Sequence, residues 1–423
     1  RFNLMAEKPP GENLPERLHA FDCGSAVNAK SDAARKLLIV FASSLAPCPA
    51  VIAIEQKTNS DANNRNRTLF ISFSFVIERL KRGRIMPAAF GFVTIAVWSV
   101  MMAAIAESQQ LIRYEDSRVS MACTYSIVVY GEERNSLRQA VDAAFDEVDR
   151  IDRLMSHYKP DSPLSQLNRE AAKKPVKVEP ELFNFIVECL RYSRASDGAF
   201  DITVGPLMKA WGFFRGEGRM PSEQELSKAR RSVGYRHVIP DEKERTVFFD
   251  QPGVELDLGG IAKGYAVDRA VALLKQRGIK SALVSAGGST IYGLGAPPNG
   301  AGWEVKLQDP IAPDKIALTL KLKDQALSVS GSYEKFFEME GRRYSHIMDP
   351  RTGRPVEGVL SVVVITDTGT AGDALDNVFY VQGIKWSRRS LQNFTASKVQ
   401  FFLPSPRSGS TLVTLQRALV RRR

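Results

Sequence analysis

The sequence predicts an α+β fold around one large core. Three observations carry this. Strand-like alternation and helical periodicity occur in mixed order without strict alternation, no internal repeat is present, and 423 residues with 44% hydrophobic and 25% charged side chains can bury a sizeable interior. Glycine and proline, 30 and 22 residues, carry no period, which excludes collagen-like chains.

Taken in order, a strand is expected over 126–130 (SIVVY). An amphipathic helix over 136–155 places Val141, Phe145, Val148, Ile151 and Leu154 on one face, and a second helix covers 180–196. A strand over 246–250 leads through Pro252-Gly253 into 254–258, then through a Gly-Gly turn into a helix over 261–277 closed by Gly278. Strands over 281–285, 303–307, 317–322, 360–365 and 398–403 follow, with a helix over 372–382. These elements define one large mixed domain over 107–405, with a basic end over 406–423.

Ahead of that domain, residues 85–106 (IMPAAFGFVTIAVWSVMMAAIA) are uncharged, follow Lys81, Arg82 and Arg84, and end in Ala104-Ile105-Ala106. That is the pattern of a signal peptide or of an uncleaved membrane anchor, and the absence of a polar face argues against a buried core helix. Either reading places the domain outside the cytoplasm, periplasmic or on the outer face of the inner membrane, secreted or anchored through residues 85–106. Residues 1–84 show no sustained period, and their apolar run over 37–54 is broken by Pro47 and Pro49. They read as a disordered extension without a function, with the biological start near Met86.

The net charge of +11 suggests a polyanion partner only if it lies on the folded part. Residues 1–84 hold 13 Lys/Arg against 8 Asp/Glu, and residues 384–423 hold 9 Lys/Arg and no acid, which leaves the middle at about −3. Nucleic acid is therefore not an expected partner, and the tail over 417–423 reads as a solvated end. Four cysteines without CxxC spacing and four histidines exclude a zinc or iron–sulfur framework and a disulfide scaffold.

The densest motif is DLGGIAKGYAVD over 257–268, at a strand-to-helix turn. Such a turn aims backbone N–H groups at an anion, and Lys263 adds a charge for a phosphate. A glycine-rich connection with a solvated lysine fits the same letters, and neither a Rossmann GxGxxG nor a Walker motif is present. His346 precedes the turn-forming Asp349-Pro350-Arg351-Thr352-Gly353 and is the foremost general-base candidate, with His157 as competitor. No GxSxG nucleophile elbow supports a Ser-His-Asp hydrolase.

Further motifs stand in order around that one: MSHYKPDS (155–162) before LSQLN (164–168), DGAFDITVGPLMKAWGF (197–213), VSAGGS (284–289), SVSGSY (328–333), SHIMDPRTGRP (345–355) and AGDALD (371–376). Together they resemble the ApbE family of flavin transferases, the FAD:protein FMN transferases, over about residues 120–403. The resemblance implies an enzyme that uses Mg²⁺ to split the FAD pyrophosphate, moves FMN onto a Thr or Ser hydroxyl of an acceptor protein, and releases AMP. It carries over a metal site at the Gly260 carbonyl and the Asp373 carboxylate. The family's third ligand, a threonine, is matched here by Asn377, with Asp376 as a neighbouring helper. By spacing alone, Asp373 is equally a helix N-terminal carboxylate.

For FAD the resemblance carries over Met121, Tyr158, Ala199, Phe200, Asp201, Asp257, Lys263 and Met348. A tyrosine and a phenylalanine suit a flat ring, and a lysine suits a phosphate. Three readings follow: transfer of FMN to an acceptor, hydrolysis of FAD to FMN and AMP, or FAD carriage without catalysis. Acceptor-dependent covalent FMN separates the first two, and Mg²⁺-dependent AMP release separates both from the third.

Overall fold

Eight strands form a single antiparallel sheet in which spatial order follows chain order: β1 (Ile112–Ser120), β2 (Cys123–Gly131), β3 (Ser281–Ala286), β4 (Thr290–Leu294), β5 (Gln325–Gly331), β6 (Ser361–Thr366), β7 (Lys398–Ser405) and β8 (Gly409–Gln416). The computed structural model describes residues 111–417 apart from 215, 217, 407 and 408. The expected extension over 1–84 and signal or anchor over 85–106 lie outside the described residues, among which no helix is long and apolar enough to cross a membrane.

Both faces of the sheet are buried, and the two-residue strand period shows how. On β2, Tyr125, Ile127 and Val129 point into the main core, while Val128 points into a second one. Seven helices are inserted between the strands: α1 (Arg134–Met155), α2 (Pro163–Glu170), α3 (Pro180–Ala195), α4 (Gly205–Ala210), α5 (Glu223–Arg231), α6 (Ala262–Gln276) and α7 (Gly369–Ser390). The apolar stripes of α1, α6 and α7 fill the main core. The second face is covered by the hairpin Trp303–Gln308/Ile316–Leu322 through Trp303, Val305, Leu307 and Leu322. This mixed architecture is the α+β arrangement that the sequence predicts.

Helix ends explain the differences in boundaries. The first helix begins at Arg134 rather than 136 because the Glu133 carboxylate accepts from the amides of Asn135 and Ser136. Gly278, at φ 81°, closes α6 with its amide on Lys275 O and the Ile279 amide on Leu274 O, a Schellman end. The last helix has its expected break after Gln382, where Gly383 sits at φ 70°, but continues beyond it to Ser390.

Two expectations need correction. Residues 254–258 are not a strand: the Leu256 amide and carbonyl are taken by the Asn168 side chain, and the Asp257 amide donates to Ile202 O. The domain also does not end at 405, since β8 pairs along the whole of β7 and forms the sheet edge.

Candidate active site

The site is built where the first turns of α6 and α7 meet. Gly264 and Gly369 make the meeting possible, because a methyl on Gly264 would lie 2.2 Å from Gly369 O and 2.8 Å from the Asp373 Cβ. Ile261, the residue at the start of α6, has no side chain that can cap it. The Gly264 amide donates instead to Asp373 Oδ2 at 2.9 Å, which brings the carboxylate of one helix onto the free N–H end of the other.

Lys263 stands beside this contact, its Nζ 2.7 Å from Ser289 Oγ in the β3–β4 turn. Across it, Thr290 Oγ1 lies 3.1 Å from Ser328 Oγ, and Ser328 Oγ donates to Asp376 Oδ2 at 2.8 Å. Asn377 Nδ2 donates to Asp373 O at 2.8 Å, Asp376 Oδ1 at 2.9 Å and Gly260 O at 3.3 Å.

The charges in this cluster are unbalanced. Asp373 and Asp376 are 4% and 1% exposed. Burial pushes the Asp373 carboxyl up against the pull of Lys263, and it pushes Asp376 well up with the Asp373 charge adding to it. Burial would draw the Lys263 ammonium down, yet Asp373 and Glu334 outweigh it and hold the group above the ordinary lysine range. Crowding by protein at the rim, with the Asp373 charge, also raises the Glu334 carboxyl. Three acids thus crowd one lysine, and a divalent cation such as Mg²⁺, which takes hard oxygens, would relieve the repulsion that raises them. Among the described residues no three His, Cys, Asp or Glu side chains converge as a complete cage, so such an ion needs further oxygens from water or a bound phosphate.

A flat aromatic surface borders the turn. Tyr158 and Phe214 stack with ring centroids 4.9 Å apart at 12°, and His157 packs on Tyr158 at 4.0 Å. His157 Nε2 lies 3.4 Å from Asp257 Oδ2, whose other oxygen accepts from the Gly259 amide at 2.8 Å. Phe200 and Asn377 flank Gly260: a methyl there would lie 3.8 Å from the phenyl ring and 3.3 Å from the amide nitrogen. The platform is thereby continuous with the polar cluster.

His346 lies at the end of a small hairpin, Phe336–Met339/Arg342–Ser345. Its Nδ1 is 3.1 Å from Lys335 O. A carbonyl can only accept, so Nδ1 carries the proton and Nε2 keeps its lone pair. Protein crowding drives the imidazole down to about 4 against the small lift from that carbonyl, so the ring is neutral at pH 7 and fit to accept a proton.

The sequence pattern of the ApbE family matches residues 121–402, which span the platform, the lysine turn, His346 and the carboxylates. The chain belongs to the ApbE family of flavin transferases. It is 34% identical over 243 residues to the FAD:protein FMN transferase of Escherichia coli (strain K12), covering 56% of this chain and 69% of that one. The ApbE protein of Thermotoga maritima superposes with TM-score 0.66 at 31% identity, over 71% of this chain and 96% of that one. The flavin transferase ApbE from Vibrio cholerae does so with TM-score 0.64 at 27% identity, over 73% and 98%.

Within this ApbE fold, Gly260, Lys263, Asp373 and Asn377 come together, with Phe200 against Gly260 and Asp257 joining them through His157 to Tyr158. Met121 lies in the β1–β2 turn at φ 48°, its Sδ accepting from Tyr125 OH at 3.2 Å. Asp201 has a structural engagement: one oxygen accepts from the amide and hydroxyl of Thr203 and the other from the Tyr235 amide. Ala199 is buried in the turn before it. Met348 is buried against Trp211 and Phe213, and the Trp211 Nε1–H donates to Gly353 O at 2.8 Å, docking the histidine loop onto the 197–213 segment. Arg351 is engaged by Asp349 and Arg354 by Glu223. Sequence reasoning missed Phe214, Glu334, Ser289, Thr290 and Asp268. Asp268 and Ser289 are the last residues of two of the motifs, and Phe214, Thr290 and Glu334 each directly follow one, so all five had a local signal but no readable role.

Proposed function

We propose that this chain is an FAD:protein FMN transferase that uses Mg²⁺, transfers FMN to a Ser or Thr hydroxyl of an acceptor protein, releases AMP, and works outside the cytoplasm, tethered or released through residues 85–106. The observation that carries the reading is the buried Lys263–Asp373–Asp376 cluster beside a stacked aromatic pair and a neutral histidine.

Tyr158 and Phe214 offer a surface on which a flat ring stacks, contributing about 0.5–1.5 kcal/mol beyond area burial. Lys263 binds a phosphate oxygen and holds the pyrophosphate over the α6 N-terminus. The acceptor hydroxyl oxygen forms a bond to the FMN phosphorus as the bond to the AMP oxygen breaks, and the hydroxyl proton passes to His346 Nε2. Gly260 O and Asp373, with Asp376 adjacent, are the oxygens that would hold Mg²⁺, which when bound neutralises charge on the phosphates. Water in place of the hydroxyl gives FMN and AMP from the same site.

The reading is tested by incubating the full chain with FAD, Mg²⁺ and candidate acceptor proteins, then mapping the product by tandem mass spectrometry. A flavin phosphoester on Ser or Thr supports it. AMP formed without any labelled acceptor assigns hydrolysis instead.

Two further outcomes follow. His346→Ala should lower turnover while FAD affinity stays within about threefold, because the base acts only as the proton moves. Since the ring titrates near 4 rather than 6.5, its base form persists through pH 5–6, and the acid limb of kcat/KM in the free enzyme should fall near pH 4. A limb near the ordinary histidine value that disappears in His346→Ala would contradict a base held down by the protein around it. Asn377→Thr should lower the Mg²⁺ concentration for half-maximal AMP release, because the Asn377 amide nitrogen donates to Gly260 O, the oxygen that would otherwise face the ion. An unchanged metal dependence removes position 377 from the ion's surroundings.

A further inference from the structure

We infer that Asp268 is a positioning residue for the reaction, an inference that rests on the flavin-transfer reading. Asp268 lies on α6, beyond Lys263 and Gly264. Its Oδ1 accepts from the Gly369 amide at 2.6 Å, and its Oδ2 accepts from the Thr370 amide at 2.8 Å and the Thr370 hydroxyl at 2.5 Å. The next two amides of α7 are taken by Thr368, Ala371 by the side chain and Gly372 by the carbonyl.

The two helices therefore cap each other. A carboxylate of α6 binds the first amides of α7, while a carboxylate of α7, Asp373, binds the Gly264 amide of α6. With Gly264 and Gly369 in backbone contact between these two links, the helices have one register, and that register sets the Asp373 carboxylate against Lys263. Asp268 touches none of the groups placed at the reacting phosphates. It acts through Asp373, as hydrogen-bonded outer partners of metal-binding and catalytic groups do, where substitution costs roughly 10–100-fold in activity or metal affinity.

Asp268→Asn is the test, because an amide has one acceptor oxygen and turns a donor toward either the Gly369 or the Thr370 amide. In the full chain, kcat for AMP release should fall roughly 10–100-fold while KM for FAD shifts less than about threefold, and Mn²⁺ affinity, read by electron paramagnetic resonance with the metal alone, should weaken by a similar factor to kcat. Hydrogen exchange over 369–376 should rise in the same variant. Val271→Ala, a cavity substitution elsewhere on α6, supplies a control with lowered stability and native kcat.

A native kcat in Asp268→Asn, or an equal loss of kcat in Val271→Ala, overturns the inference. If Asp268→Asn does not fold, Thr370→Val, which removes one of the three hydrogen bonds, decides it by the same ratio of kcat to KM. Should the native chain release no AMP, the transfer reading fails, and unchanged Mn²⁺ affinity in Asp268→Asn then overturns the positioning role as well.

Discussion

Asp373→Asn is expected to reduce AMP release from FAD by roughly 10³-fold, the upper range for removing one preorganised electrostatic group, while the protein remains folded. The substitution keeps the shape of the side chain but removes the charge that faces Lys263 and one of the two oxygens available to a divalent ion. Stability should move the other way or not at all. The Asp373 carboxyl is already pushed up by burial, so deleting its charge relieves a desolvation cost and the repulsion that raises Asp376. Thermal unfolding without metal should therefore show a midpoint equal to or above that of the native chain. A folded Asp373→Asn protein that releases AMP at the native rate would remove this carboxylate from the chemistry.

Gly264→Ala should destabilise the fold and abolish activity together. Alanine is favoured over glycine inside a helix by about 1 kcal/mol, so propensity alone predicts a gain. Opposing it, the new methyl would sit 2.2 Å from Gly369 O and 2.5 Å from Gly369 C, backbone atoms that no rotamer change can move aside. Overpacking costs about 1–3 kcal/mol, and the lost Gly264–Asp373 hydrogen bond adds about 1 kcal/mol. The clash wins by roughly 2 kcal/mol, which a urea titration reads as an earlier midpoint at unchanged slope. Activity falls with it because Lys263 and Asp373 are carried on the two helices that are pushed apart. A later midpoint with native AMP release would show that the helices do not meet at these glycines.

How much of this was legible in the sequence depended on whether a feature is local. The long stripe of α1, the Gly-Gly turn into α6 and the break at Gly383 are local patterns, and each appears in the structure. The β1–β2 hairpin was not legible, because Met121 and Ala122 both hold positive φ where Asn or Gly ordinarily marks such a turn. Strand β5 carries Ser328 and Ser330 within its run and so lacks the apolar signature of a buried strand. Ser328 is tolerated there because it bonds to Asp376. Helix α5 did have a readable start, since Ser222 and Glu225 form a reciprocal capping box. Asp268 and Glu334 stand in or beside the motifs, yet their roles were not readable, because they arise only where α6 meets α7 and where Glu334 comes within the field of Lys263 and Asp373.

Quantifying AMP against FAD consumed by the full chain in the presence of Mg²⁺ decides whether the Lys263–Asp373 cluster breaks the FAD pyrophosphate. One AMP is expected for each FAD lost, with loss of that product on chelation of the metal. FAD that binds the protein and is recovered intact at every metal concentration would contradict that cleavage.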